Sequence, residues 1–407
     1  MEPPVLSGPY SPKEQAGIER EMTAAFNSLT TRWENRENDR DWMAGFVSGV
    51  RESSRKIFRQ SSLEADTLFQ QGFVDSTRLF VERVKEYDPA FCVADVYQAL
   101  RNVWIMNTLQ LYLDLPVAYS EAIFSYSMIY PYTDNIMDDT ALSMQEKGWL
   151  NRRLKNWLEG EFTDSHSLEE NPVLERAGDK IRGLIRLIEG QFPRRQYPDV
   201  FRSLLGIYNA QVRSLHQQKG QIIPHEADIL GISIEKGGTS VLADGFLIRG
   251  RLSEKEADFC FGFGVFLQLA DDIQDIAMDL NNGHMTIFSQ AAGRYPLDKL
   301  FSKLVRFTAS VVNSHLSEES PREKALRDII LKNSLFLVME AVGRHRDYFT
   351  SDFVRHVQSH FPVRFGFLRR YKNKVQRTFL KGKTGVIDLD FASAFLLTLA
   401  SRTDFGR

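Results

Sequence analysis

Apolar residues return every three or four positions along almost the whole chain, which is the period of the α-helix. From Lys13 to about Arg36, Ile18, Met22, Phe26 and Leu29 mark one such face. The pattern resumes over roughly 63–87, 93–113, 117–139, 144–158, 173–191, 198–217, 226–249, 254–280, 297–316, 323–349, 351–380 and 388–402. Short breaks carry the residues that stop helices: Asp88-Pro89, Leu115-Pro116, Asn171-Pro172, Phe192-Pro193, Asn281-Asn282-Gly283, Tyr295-Pro296 and Ser320-Pro321. Alternation of β-branched residues at period two is scarce, and no internal repeat or low-complexity tract interrupts the series. The expected fold class is all-α.

The bulk numbers narrow the function. With 407 residues, 43% of them hydrophobic, the chain can bury a sizeable core. Its 51 basic and 53 acidic residues nearly cancel, and no dense basic run suggests a nucleic-acid partner. Cys92 and Cys260 sit alone in apolar surroundings and cannot build a disulfide or metal framework, so a reducing cytoplasm is expected. No basic stretch followed by an apolar run opens the sequence, and no run reaches the roughly 18 apolar residues of a membrane span. Only the first dozen residues, rich in proline, read as a loose tail.

Two segments depart from ordinary amphipathic helices. Residues 117–133, with Ile123, Phe124, Tyr126, Met128, Ile129, Tyr130 and Tyr132, are apolar or aromatic around much of the circumference. Residues 259–270 behave likewise, and such helices belong in the middle of a protein. Each ends in a burst of carboxylates. The first is Asp134-Asn135-Ile136-Met137-Asp138-Asp139, whose Asp134 and Asp138 share a helical face. The second is Asp271-Asp272-Ile273-Gln274-Asp275, continued by Asp279, so that Asp271, Asp275 and Asp279 form a ladder at four-residue steps. Two partly buried carboxylates ~5 Å apart repel by about 3 kcal/mol at an effective dielectric near 20. Such groups at the ends of buried helices call for cations. Carboxylate ligands without His or Cys favour a hard ion, Mg²⁺ or Mn²⁺.

With these motifs the chain resembles the class I isoprenoid synthase superfamily: prenyl diphosphate synthases, squalene and phytoene synthases, and terpene cyclases. Asp134-Asn135-Ile136-Met137-Asp138 resembles its first aspartate-rich motif, with Asn135 where a second aspartate is usual. Asp271-Asp272-Ile273-Gln274-Asp275 is similar to the second motif of elongating synthases; the ladder through Asp279 also fits that of cyclases, with Asp275 and Asp279 in place of Ser or Thr and Glu. The motifs start 137 positions apart, at 134 and 271, which suits that family's pseudo-duplicated bundle. The likeness covers about residues 95–375. It implies a single helical catalytic domain over 93–407, preceded by a tail and helical extension over 1–92.

The resemblance also implies where metal and substrate are held. Asp134, Asp138, Asp139, Asp271, Asp272, Asp275 and Asp279 become the metal ligands, on two helices facing each other. Glu235-Lys236-Gly237-Gly238-Thr239-Ser240 resembles the lysine- and glycine-containing helix break that the family sets beside the diphosphate. Arg369-Arg370-Tyr371 lies where cyclases carry the Arg-Tyr pair that grips it. Lys236, Arg370 and Tyr371 are therefore the expected catalytic donors, and Arg213 is a further substrate contact. Asn282–Thr286, with His284, reads either as a loop over the phosphates or as an ordinary surface turn. Phe124, Met128, Phe263, Phe266 and Leu267 are the aromatic and apolar residues nearest the acids, suited to lining an isoprenoid cavity and steadying a carbocation.

Three reactions share this chemistry. Elongation needs a second diphosphate site, which the family builds from an N-terminal Gly-Gly-Lys-x-x-Arg segment and an Arg pair just after the first motif. No such segment is present, and Arg152-Arg153 comes late. Squalene and phytoene synthases carry Arg-Asp in the second motif, where this chain has Leu269-Ala270-Asp271-Asp272. A cyclase needs one diphosphate site, a cavity and the Arg-Tyr grip. The reading favours a cyclase acting on an allylic prenyl diphosphate (C15–C25), with head-to-head condensation, elongation or a non-catalytic helical scaffold as alternatives. A homodimer is expected from the superfamily alone.

Overall fold

The computed structural model describes residues 8–34, 48–49, 51–52, 54–68, 71–91, 93–138, 142–162, 171–218 and 226–380. Among them there is no strand, and the all-α expectation holds. The helices are α1 (Pro12–Glu34), α2 (Ser62–Leu68), α3 (Gln71–Tyr87), α4 (Val93–Tyr112), α5 (Glu121–Asp138), α6 (Met144–Glu159), α7 (Pro172–Gln191) and α8 (Pro198–Ser214). They continue as α9 (Ile229–Arg249), α10 (Glu254–Gln274), α11 (Ile276–Asn282), α12 (Ile287–Ala291), α13 (Asp298–His315), α14 (Pro321–Arg344), α15 (Ser351–Ser359) and α16 (Phe365–Leu380). The helix expected at 388–402, like Cys92, lies outside the described residues. The single helix expected over 351–380 is two, parted at 360–364 by the turn around Pro362. No described helix is long and apolar enough to cross a membrane.

Local chemistry sets the helix ends. Ser143 and Glu146 form a reciprocal capping box at the start of α6, and Gly160 closes it in the left-handed conformation. Asn171 caps α7 and Ser320 caps α14, each followed by proline at the first helical position, where no N–H is needed.

The chain divides into two compact units. One comprises Asp75–Ser214 and Glu235–Gly264. At its centre α5 packs on α4 and α7, and α6 on α7 and α8. Phe124 of α5 is fully buried among the rings of Phe80, Tyr87 and Tyr119; burial of one such side chain contributes about 1.5–3 kcal/mol. The other unit comprises Met1–Val74, Leu215–Ile234 and Val265–Arg407. Here α14 is the hub, packing against α2, α13, α15 and α16. Its buried residues run from Ala325 to Val342 and spread around the helix, as a central position requires.

Helix α1 makes several contacts with the C-terminal helices of this second unit. The Glu19 carboxylate of α1 accepts from the backbone N–H of Arg364 (2.9 Å) and from its guanidinium, and so caps α16 from a distant helix. Gln15 donates to the carbonyl of Phe361 at 2.8 Å, and Phe26 meets the Tyr371 ring edge-on.

Candidate functional site

The two acidic motifs belong to different units, each at the C-terminal end of a helix that burial confirms as central. Residues 122–128 of α5 are all buried, as are Phe259, Cys260, Phe263, Phe266 and Ala270 of α10. A helix C-terminus carries partial negative charge, so carboxylates placed there are doubly unfavourable without a cation.

At the end of α5, Asp134 and Asp138 occupy the last turns. Only their backbone is described, and Asp139 lies outside the described residues. Pro131 interrupts the helix hydrogen bonding one turn earlier, and the Thr133 hydroxyl donates to the carbonyls of Ile129 (3.0 Å) and Tyr130 (2.9 Å). Lys147 donates from Nζ to the carbonyl of Met137 at 2.7 Å, which brings a cation to the helix end.

The second motif is not the unbroken ladder expected from its spacing. The helix bends at Asp275 between α10 and α11. Bonds four residues apart persist on either side, from Asp275 N–H to Asp271 and from Asp279 N–H to Asp275 (3.0 and 2.8 Å). The carbonyl of Gln274 is diverted instead: it accepts from Nε2 of His345 at 2.6 Å and from the Arg344 guanidinium at 3.4 Å. Asp272 is buried and accepts from Gln268 at 2.8 Å, while Asp271 and Asp275 are half-exposed. Asp279 is buried and accepts from the Thr286 hydroxyl at 3.3 Å. Burial first, then Asp272 and Asp275, push its carboxyl up to about 8. Among the described residues no three His, Cys, Asp or Glu side chains gather as a metal cage. The donor set is oxygen alone and suits an ion such as Mg²⁺, which takes one or two carboxylates and completes its shell with water and phosphate.

The expected cationic residues fall as follows. Lys236 is half-exposed on α9. The glycines beside it do not break the helix; α9 is continuous through Gly237 and Gly238. They serve close packing: a Cβ on Gly238 would lie 2.4 Å from the Phe261 ring, and one on Gly264 would lie 2.1 Å from the carbonyl oxygen of Gly237. Arg213 is paired with Glu235 at 2.5 Å. On α16, Arg369 and Arg370 are exposed. Tyr371 is half-buried, its ring against Phe26 and Phe367, and burial raises its hydroxyl to about 12. Asn282–Thr286 is a tightly capped turn: Gly283 closes α11 in the left-handed conformation, and Thr286 opens α12 with Ser289. His284 donates its N–H to the Asp279 carbonyl at 2.8 Å. Of the apolar candidates, Phe124, Met128, Phe263 and Phe266 are buried core, and Leu267 is half-exposed.

Among the buried ionisable groups that sequence reasoning missed are Glu340, Lys372 and Asp244. Glu340 of α14 accepts from Lys372 of α16 at 2.5 Å and from Arg344 at 3.2 Å. Asp244 of α9 is fully buried, with Asn102 donating to one oxygen at 3.1 Å and, among the described residues, no hydrogen bond to the other. Burial holds its carboxyl well above the usual range, outweighing the opposing hydrogen bond from Asn102. The signal was an acid inside an apolar run, Leu335–Val342 for Glu340 and Val241–Ile248 for Asp244. No protein-family model, curated protein or solved structure matches the chain.

Proposed function

We propose that this chain is a Mg²⁺-dependent class I terpene synthase that ionises an allylic prenyl diphosphate and cyclises the resulting cation. The observation that carries the reading is the placement of Asp271, Asp272, Asp275 and Asp279 on either side of one helix bend, where burial first, and then Asp272 and Asp275, raise the Asp279 carboxyl to about 8. Such a cluster stores repulsion that a hard cation relieves. The first acidic burst, with Asp134 and Asp138, ends another core helix, α5, and supplies a second carboxylate set of the kind that diphosphate ionisation uses.

Asp271 and Asp275 in one unit, and separately Asp134 and Asp138 in the other, are the carboxylates that would hold such ions; Mg²⁺ would supply charge neutralisation and polarisation of the departing diphosphate. The chain's own donors act on the charge that grows as the C–O bond breaks. Arg370 offers a planar pair of N–H donors and Tyr371 an O–H that its raised pKa keeps protonated at neutral pH. Lys236 adds a compact positive charge.

Titration of inorganic diphosphate by calorimetry tests the reading. Binding is expected with Mg²⁺ and absent with chelator, and Asp271→Asn should weaken it at least tenfold. A chain that binds no diphosphate in Mg²⁺ is a scaffold and not a synthase.

A further inference from the structure

Three charged side chains inside one unit link the second acidic motif to the helix that carries Arg370 and Tyr371. Glu340 stands at the middle. Its carboxylate accepts from Lys372 Nζ at 2.5 Å, and Lys372 follows Tyr371 directly on α16. It also accepts from Arg344 at 3.2 Å, one turn along α14. Arg344, with His345 beside it, reaches the carbonyl of Gln274, the last residue of α10 before the bend at Asp275. The Lys372 and Glu340 side chains are only 6% and 7% exposed, and that of Arg344 19%.

A buried ion pair is weak evidence of stabilisation, since apolar residues of similar volume often hold a core as well or better. What charged groups add is direction. Each hydrogen bond fixes an angle as well as a distance, so the network sets where two helix segments lie relative to each other. We propose that Glu340 is a positioning residue, holding the Asp271–Asp279 bend and the Arg370–Tyr371 turn in one fixed relation through Arg344 and Lys372. The proposal rests on the reading that both segments act on one diphosphate. Loss of the relation leaves every ligand present but displaces Arg370, and a displacement near 1 Å costs up to about 10²-fold in rate.

Hydrogen exchange on the metal-free protein tests the mechanical half without any turnover. Lys372→Met should speed exchange at the amides of Asp275–Asp279, across Glu340 and Arg344; unchanged exchange there overturns the relay. Glu340→Met combined with Lys372→Met removes the pair as a unit and is the variant expected to keep the parent Tm within a few degrees. In that background kcat should fall about 10- to 100-fold with KM within threefold. Arg370→Ala, severe in the parent, should then cost less than threefold more. If the two losses multiply, Glu340 does not position Arg370 and the proposal is wrong. If the parent ionises no prenyl diphosphate while the exchange result holds, the synthase reading has failed and the catalytic role of Glu340 falls with it.

Discussion

Asp244→Asn should make the protein more stable, by an amount that grows with pH. The native carboxyl is fully buried, has one hydrogen bond from Asn102 and, among the described residues, leaves its second oxygen without one. Burial raises its folded-state pKa well above the unfolded value. The native state therefore holds a proton that the unfolded chain releases, and stability falls as pH climbs above the unfolded carboxyl's pKa near 4. While the native carboxyl keeps its proton, each further pH unit costs stability on the order of 1 kcal/mol. The amide cannot ionise and escapes this loss. The titratable groups nearest by, Tyr126 on α5 and Cys260 on α10, are themselves pushed upward by burial and stay neutral across this range. Asp279 titrates in both proteins and cancels in the difference. Urea unfolding in chelator, followed by tryptophan fluorescence, is the assay. Trp104, Trp149 and Trp157, three of the five tryptophans, report on the unit that contains Asp244. The gap between the two midpoints should widen steadily from pH 5 to 7. A wild type at least as stable as the variant at pH 7, or a gap that does not change with pH, refutes the reasoning.

Other outcomes follow from the same contacts. Metal-free wild type should lose stability from pH 5 to 8 through Asp279, whose folded pKa is raised to about 8, and Asp279→Asn should flatten that part of the curve. Mg²⁺ should restore Tm in the wild type more than in the variant. Gly264→Ala drives a Cβ against the Gly237 carbonyl and should destabilise by at least about 1–3 kcal/mol, measured by urea unfolding. Arg370→Ala should lower kcat about 10²–10³-fold with little change in KM, while Arg369→Ala, about 100° around the same helix, should not.

The helical class and the centrality of α5 and α10 were legible because both rest on periodicity, which burial enforces directly. The acidic bursts were legible for the same reason, since a carboxylate ending an apolar run is conspicuous. What sequence spacing missed was tertiary. The ladder at Asp271, Asp275 and Asp279 assumed an uninterrupted helix, but the Gln274 carbonyl is claimed by His345 and Arg344, seventy positions away. The family resemblance reads Gly237 and Gly238 as a helix break, with glycine freeing the backbone locally. In the fold a Cβ on Gly238 would run into the Phe261 ring, and the Gly237 carbonyl lies where a Cβ on Gly264 would be. Glu340 and Lys372, 32 residues apart, carried no mark of being partners. The contacts of Glu19 and Phe26 with α16, some 345 positions away, likewise left no mark in the spacing.

Turnover is the most direct test of the central claim. The full chain is incubated with C10, C15, C20 and C25 prenyl diphosphates, with and without isopentenyl diphosphate, in Mg²⁺ or in chelator. Released diphosphate and extracted products are then measured together. The account predicts that a single allylic diphosphate yields a cyclic hydrocarbon or alcohol and stoichiometric diphosphate, with Mg²⁺ alone. Product that appears only with isopentenyl diphosphate, a coupled C30 or C40 hydrocarbon, or no Mg²⁺-dependent diphosphate release from any substrate would contradict it.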